Sequence, residues 1–245
     1  MKIGVFGDIH NNIEALRAAY GALEKAGCDA TVCLGDVVGY GASPEECIDF
    51  VRERNIPCVR GNHDHYTVQP LDHWAIQPYA KRAIEWMKER LSSDYMDWLD
   101  ALPFTYEMEG IQFVHASLET SDGSCWPYIL NQQTAIFHFF MQKTRFCFFG
   151  HTHIPLLFTS NKGQVVFELL SDRRFPGAGG AKYLMNPGSV GQPRDFDVRA
   201  SAAVFDTKTR DVELIRVEYD VEGAQKKIID AGLPESLAKR LSMGS

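Results

Sequence analysis

No apolar run in this sequence approaches the roughly 18 residues that a membrane-spanning helix requires, because a charge or a polar cluster interrupts every one. Basic charge is scarce as well: 25 Lys and Arg stand against 32 Asp and Glu, a formal net charge of −7. Duplex nucleic acid is bound by neutralising phosphates with Lys and Arg, so this balance, with no basic stretch, argues against long nucleic acids as partners. The six cysteines stand singly and none forms a C-x-x-C pair, which argues against a zinc ribbon or a redox dithiol. Single cysteines, mostly inside apolar segments, are the usage of a reducing cytosol. Met1-Lys2-Ile3-Gly4-Val5-Phe6 enters a strand pattern at once and leaves no room for a signal peptide, so a cytoplasmic protein without a membrane partner is expected. Internal repeats and low-complexity tracts are absent, and nothing in the pattern bears on oligomeric state.

What is present is an ordinary globular composition, 45% hydrophobic and 23% charged over 245 residues, which suits one large domain. A single domain over 1–245 with a helical tail from about 221 is the expectation. Lys2–Phe6 reads as a strand, and Ile13–Lys25 has helical apolar spacing closed by Gly27. Ala30–Leu34 is a second strand. Ser43-Pro44 opens a helix to about Arg54, and Pro57–Arg60 reads as a third strand. This rhythm predicts parallel βαβ units. Residues 78–101 read as two helical pieces. Beyond them the pattern turns to strands: hairpins at Phe104–His115 and Leu156–Leu169, then Phe146–Phe149, Tyr183–Met185, Ser201–Asp206 and Val212–Tyr219. Ser117–Pro127 and Ser171–Ala181 read as long loops, and the aromatics at Phe137–Phe140 and Phe146–Phe149 as core. The architecture implied is an α/β fold of mixed character, a four-layer αββα sandwich of two mixed sheets flanked by helices.

Five of the eight histidines occupy short polar clusters, each just past the end of an apolar strand: Gly7-Asp8-Ile9-His10, Gly61-Asn62-His63-Asp64, Val114-His115-Ala116 and Gly150-His151-Thr152-His153. Gly35-Asp36 adds a fifth cluster. The carboxyl edge of an open α/β sheet is where ligands bind. Taken singly, each cluster has a plain reading, Asp-x-His as a solvated turn and Asn-His-Asp as an Asx turn. Their ordered recurrence at strand ends decides against that reading. In an extended backbone Asp8 and His10 share a side, as do His151 and His153, and each pair can hold one ion. Asp36 can bridge two ions, and Asn62 can add an amide oxygen. Carboxylates, imidazoles and an amide without thiolate suit Mn, Fe, Co, Ni or Zn, and a pair of such ions is the usual clamp for displacement at phosphorus.

The order D-x-H, G-D, G-N-H-D, H, G-H-x-H resembles the calcineurin-like metallophosphoesterase superfamily, over Lys2 to about Tyr219. Asn186-Pro187-Gly188-Ser189 resembles its small prokaryotic phosphodiesterase-like branch. The resemblance implies two divalent transition-metal ions, with Mn favoured for activity. Asp8, His10, Asp36 and His153 would hold one, and Asp36, Asn62, His115 and His151 the other. It implies His63 as general acid to the leaving group, with Asp64 orienting it. The expected activity is hydrolysis of a phosphodiester or phosphomonoester of a small or nucleotide-like substrate, by in-line attack of a metal-activated hydroxide. A non-catalytic metal-binding scaffold and a serine/threonine-type protein phosphatase are the rival readings. The protein-phosphatase pattern G-D-x-x-D-R-G carries a phosphate-gripping Arg, whereas Gly35–Gly41 has Gly39-Tyr40 in that place. Arg60 and Arg194 are candidates to replace it. His65 stands near enough to touch substrate, Trp126 and Tyr128 of the 117–128 loop are candidate pocket walls, and His73 and His138 read as surface or core.

Overall fold

The computed structural model describes residues 1–70, 76–170, 174–176 and 179–245. His73 lies outside them. The first half alternates β1 (Lys2–Phe6), α1 (Ile13–Lys25), β2 (Ala30–Cys33) and α2 (Pro44–Glu53), followed by α3 (Asn62–Val68), α4 (Pro78–Lys88) and α5 (Ser93–Asp100). The second half holds β3 (Thr105–Met108), β4 (Ile111–Val114), α6 (Gln132–Met141), β5 (Phe146–Phe148), β6 (Pro155–Asn161) and β7 (Gln164–Leu169). It continues through β8 (Arg174–Pro176), β9 (Lys182–Pro187), β10 (Ala200–Asp206) and β11 (Asp211–Val217), and closes on α7 (Val221–Asp230) and α8 (Glu235–Leu241).

Local chemistry explains the elements that place the site. Asn12 caps α1 by accepting from the Ala15 amide at 3.1 Å, and Ile13, Leu16, Ala19 and Leu23 bury one stripe of that helix. Gly27, at φ 72°, ends it. Pro44 occupies the first turn of α2, but Ser43 makes no side-chain cap and its hydroxyl accepts from Lys227 instead.

Two mixed sheets result, ordered β2-β1-β10-β11-β8 and β3-β4-β5-β9-β6-β7. β1 and β2 run parallel, as do β4, β5 and β9. Ile3, Val5 and Phe205 of the first sheet meet Phe113, Phe148 and Met185 of the second in one buried layer. The outer face of the first sheet is covered by α1, α2, α4, α7 and α8, whose Leu16, Ile48, Met87, Ile228 and Leu237 share a second cluster. Ala135 and Phe139 of α6 cover the other outer face. The layers are those of the expected αββα sandwich.

Three local expectations are corrected. The strand at Pro57–Arg60 reduces to one bridge between Cys33 and Cys58, because the Arg60 amide turns away to the Pro103 carbonyl at 2.7 Å. The stretch 171–181, read as loop, contains β8, which pairs with β11. Phe137 and Phe140 are not core: helical periodicity turns Ala135, His138 and Phe139 inward and leaves Phe140 82% exposed.

Candidate metal centre

The carboxyl ends of β1, β2, β4 and β5 lie side by side, and the polar clusters of the sequence meet there. Asp8, His10, Asp36 and His153 are all buried, with one ligating atom of each within 4.8 Å of every other. His10 Nε2 stands 3.0 Å from His153 Nε2 and 3.5 Å from Asp36 Oδ2, and His153 Nε2 stands 3.6 Å from Asp8 Oδ1. His115 Nε2 lies 3.4 Å from Asp36 Oδ2 and 3.1 Å from Asn62 Oδ1, and the His115 and His151 ring centroids are 5.1 Å apart. Asp36 thus touches both groups.

The route to this convergence is not the extended backbone expected at Asp8-x-His10 and His151-x-His153. Asp8, His10, Asp36, His151 and His153 all have φ between 50° and 66°. Left-handed residues cost free energy, and such strain is retained where surrounding structure holds it. Here the holders are backbone hydrogen bonds: Asp8 N–H to the Gly35 carbonyl, and Ile9 N–H and His10 N–H both to the Asp36 carbonyl, each at 2.9 Å. Two of the preceding glycines serve close approach rather than turning. A Cβ at Gly61 would collide with the Asp36 carboxylate, and one at Gly7 would lie 2.7 Å from Leu34 Cβ.

Three imidazoles are aimed by carbonyls behind them. His153 Nδ1 donates to the Gln192 carbonyl at 2.6 Å, His115 Nδ1 to the Leu34 carbonyl at 2.8 Å, and His151 Nε2 to the Trp126 carbonyl at 3.2 Å. Such bonds fix which ring nitrogen remains for a metal. His10 Nδ1, buried against Gly39, has no hydrogen-bond partner among the described residues. Imidazole nitrogens facing each other across 3.0 Å, with carboxylates at 3.4–3.6 Å, form a donor set that fits a divalent cation.

The electrostatics follow from burial and from Asp36. Burial lowers His10 and His153 well below the usual histidine range, and pushes Asp8 up to about 7. His115 goes the other way: burial would lower it, but the Asp36 carboxylate outweighs burial and raises it to about 9. Asp36 is correspondingly held well below the carboxylate range, burial notwithstanding, by His115 and His63. Without metal, the Asp36–His115 pair is therefore an internal ion pair.

A cleft of about 390 Å³ opens beside Asn62, His63 and His151. Tyr40, Tyr66, Tyr79, Trp126, Tyr128 and Arg194 also line it. Tyr128 stacks on His151 with ring centroids 4.0 Å apart. The 117–128 loop therefore supplies two walls, as anticipated for Trp126 and Tyr128.

Residues 1–210 match the calcineurin-like phosphoesterase superfamily domain. The chain belongs to that superfamily. It is 36% identical over 247 residues to the uncharacterized protein MJ0912 of Methanocaldococcus jannaschii, covering 99% of this chain and 98% of that one. Its structure resembles that of a metallophosphoesterase from Sphaerobacter thermophilus, with TM-score 0.87, 37% identity, and 100% and 99% of the two chains covered. Protein PH1004 of Pyrococcus horikoshii OT3 shares the fold at TM-score 0.80, with 22% identity and coverage of 100% and 98%. The fold and the superfamily expected from the motifs are thus both found, and a buried Asp and His cluster suited to divalent metal accompanies them.

Within this superfamily member several side chains lie elsewhere than their motifs imply. Asp64 does not hydrogen-bond His63; its two oxygens accept from the Val38 amide at 3.1 Å and the Gly61 amide at 2.9 Å. That capping ties α3 to the Asp36 loop, so Asp64 acts on His63 through the backbone. His63 Nε2 instead meets the Tyr40 hydroxyl at 3.0 Å, and its amide donates to Asp36 Oδ1 at 2.8 Å. Arg60 faces away from the cleft, bonded to the Leu102 carbonyl at 3.0 Å and to Asp100 at 3.1 Å. His65 packs against Trp126 and Phe104 rather than lining the cleft. His138 is buried under Leu118, and burial lowers its pKa to about 3. Sequence reasoning missed Tyr40 and Ser189. Tyr40's only signal was its place four residues past Asp36.

Proposed function

We propose that this protein is a metal-dependent phosphoesterase that hydrolyses phosphodiester bonds, and by extension phosphomonoesters, of a small or nucleotide-like substrate. The observation that carries this reading is the meeting of two ligand groups on the one shared carboxylate of Asp36, beside a cleft lined by His63. Asp8, His10, Asp36 and His153 would hold one divalent ion, and Asp36, Asn62, His115 and His151 a second, Mn being the favoured metal. When bound, the ions supply an acidified water as nucleophile and stabilise charge at phosphorus. Asp36 aligns both groups. His63, on the cleft wall, is the group to protonate the leaving oxygen. Burial lowers the free His63 to about 4, so it needs a nearby anion to carry a proton, and an incoming phosphate is one. Asp64 positions His63 by holding the first turn of α3.

Five aromatic rings around the cleft suit a flat, apolar leaving group such as a nucleoside. We read the whole chain as one working unit, since Ile228 and Leu237 of α7 and α8 enter the same cluster as Leu16 of α1. Among the described residues no helix is long and apolar enough to cross a membrane. The six cysteines are free thiols, which suits the reducing cytoplasm.

The test is hydrolysis of bis(p-nitrophenyl) phosphate and p-nitrophenyl phosphate after reconstitution with Mn²⁺, with and without chelator. Diester turnover that vanishes with chelator and returns with metal is the expected result. Turnover that survives complete metal removal would sink the proposal.

A further inference from the structure

We propose that Arg194 is the anion-binding side chain of the cleft, gripping the non-bridging oxygens of the substrate's phosphoryl group. This deepens the phosphoesterase reading above and rests on it for the identity of the anion.

Arg194 lines the cleft together with Asn62, His63 and His151. Among the described residues its guanidinium meets neutral acceptors, Gln192 Oε1 at 2.9 Å, the Tyr40 hydroxyl at 3.4 Å and the Tyr128 hydroxyl. Its buried Nε has no partner among the described residues. Among the described residues Arg194 forms no ion pair, whereas Arg60 is paired with Asp100 and Arg216 with Asp195. A partly buried guanidinium that faces a cleft and has no carboxylate in direct contact keeps its planar fork for a bidentate anion.

The loop that carries Arg194 is fastened to the metal ligands rather than free to drift. Arg194 N–H donates to the His153 carbonyl at 3.2 Å, and the Gln192 carbonyl receives His153 Nδ1 at 2.6 Å. Upstream, the Ser189 hydroxyl donates to the Asp8 carbonyl at 2.8 Å and accepts from the Gln192 amide at 2.9 Å. The backbone that carries the guanidinium is thus fastened to both Asp8 and His153, and the side chain is held by Gln192 and Tyr40, which lowers the entropy lost on binding. The site also accounts for Gly39-Tyr40. A Cβ at Gly39 would collide with His10, so an Asp there is excluded, and Tyr40 offers its hydroxyl to Arg194 and to His63. The cation missing from Gly35–Gly41 arrives from the far end of the chain.

The experiment measures inorganic phosphate binding by calorimetry to Mn²⁺-loaded wild type, Arg194→Met and Arg194→Lys, with metal content and Tm recorded for each. Binding about 10- to 100-fold weaker in Arg194→Met, with Arg194→Lys between, at unchanged metal content and Tm, is expected. Steady-state kinetics on bis(p-nitrophenyl) phosphate should show KM rising more than kcat falls. Phosphate affinity in Arg194→Met within twofold of wild type would overturn the proposal, as would absence of phosphate binding to metal-loaded wild type. Loss of metal or of folding in both variants would overturn it too, by making Arg194 a support of the metal ligands. A wild type that hydrolyses neither ester, yet loses phosphate affinity on Arg194→Met, would refute the hydrolase reading and leave Arg194 in place.

Discussion

The two halves of the candidate centre are built from similar side chains but face different surroundings. Asp8, His10 and His153 are sealed by protein on every side, with His10 and His153 set against each other and the Gly188–Arg194 loop laced behind them. Asn62 and His151 belong to the other group and line the cleft, where Tyr128 covers His151. Asp36 is common to both. The difference teaches that equal ligand chemistry can serve unequal tasks. Under the proposed two-ion assignment, the closed half would retain an ion and the open half would present one to substrate.

The sharpest way to break the comparison is to remove the residue that joins the halves. Asp36→Ala should reduce metal content from two ions to below one per chain, and diester turnover by at least ~10³-fold, measured by elemental analysis and initial rates. Retention of two ions would show that the halves do not share a ligand. His63→Ala probes only the open half. Its turnover on an alkyl diester, whose leaving group needs a proton, should fall about 10²- to 10⁴-fold, and on a p-nitrophenyl ester far less. Equal losses on both esters would remove the general-acid assignment.

Proton release separates the halves more finely. In the metal-free protein Asp36 holds the His115 pKa at about 9, while burial keeps His10, His151 and His153 neutral. A metal ion must displace the His115 proton, so affinity for the second ion should rise up to tenfold per pH unit from 7 to about 9 and then level off. Below 7, protonation of Asp8 weakens the closed half as well. Calorimetry in buffers of different ionisation enthalpy counts these protons. The sign for folding is opposite: chelated protein gains stability from charged His115 in full below about 6.5, and loses it as pH climbs through about 9. Affinity that is flat between pH 7 and 9 would contradict the His115 assignment.

The smallest expected effect lies behind the closed half. Ser189→Ala removes the bond to the Asp8 carbonyl and orphans the buried Gln192 amide, at a cost of about 1–3 kcal/mol in thermal or denaturant unfolding. Metal-loaded diester turnover should change much less than in His63→Ala. A large loss of turnover at full metal content would mean that the loop does more than buttress.

Periodicity made the βαβ rhythm, the paired hairpins and the closing helices legible, because alternation and helical spacing are written in consecutive residues. The shortfalls are long-range in origin. Pro57–Arg60 has strand chemistry, but the Arg60 amide is claimed by Pro103, which no local window contains. Phe137 and Phe140 are apolar yet exposed, because α6 has only one covered face. Asp64 is adjacent to His63, and adjacency implied contact; helix geometry sends its carboxylate back to the Gly61 and Val38 amides instead.

The sequence by itself determined the kinds of donor, their order along the chain and their positions at strand ends, because a strand that ends in Gly-Asp or Gly-His must deliver that side chain to one edge of the sheet. Only the tertiary structure decided which donors meet, which imidazole nitrogen each presents and which arginine reaches the cleft. Those choices depend on left-handed turns held by partners such as Gly35 and on imidazoles aimed by the carbonyls of Leu34 and Gln192. In sequence these partners stand from 27 to 81 residues from the side chains they orient.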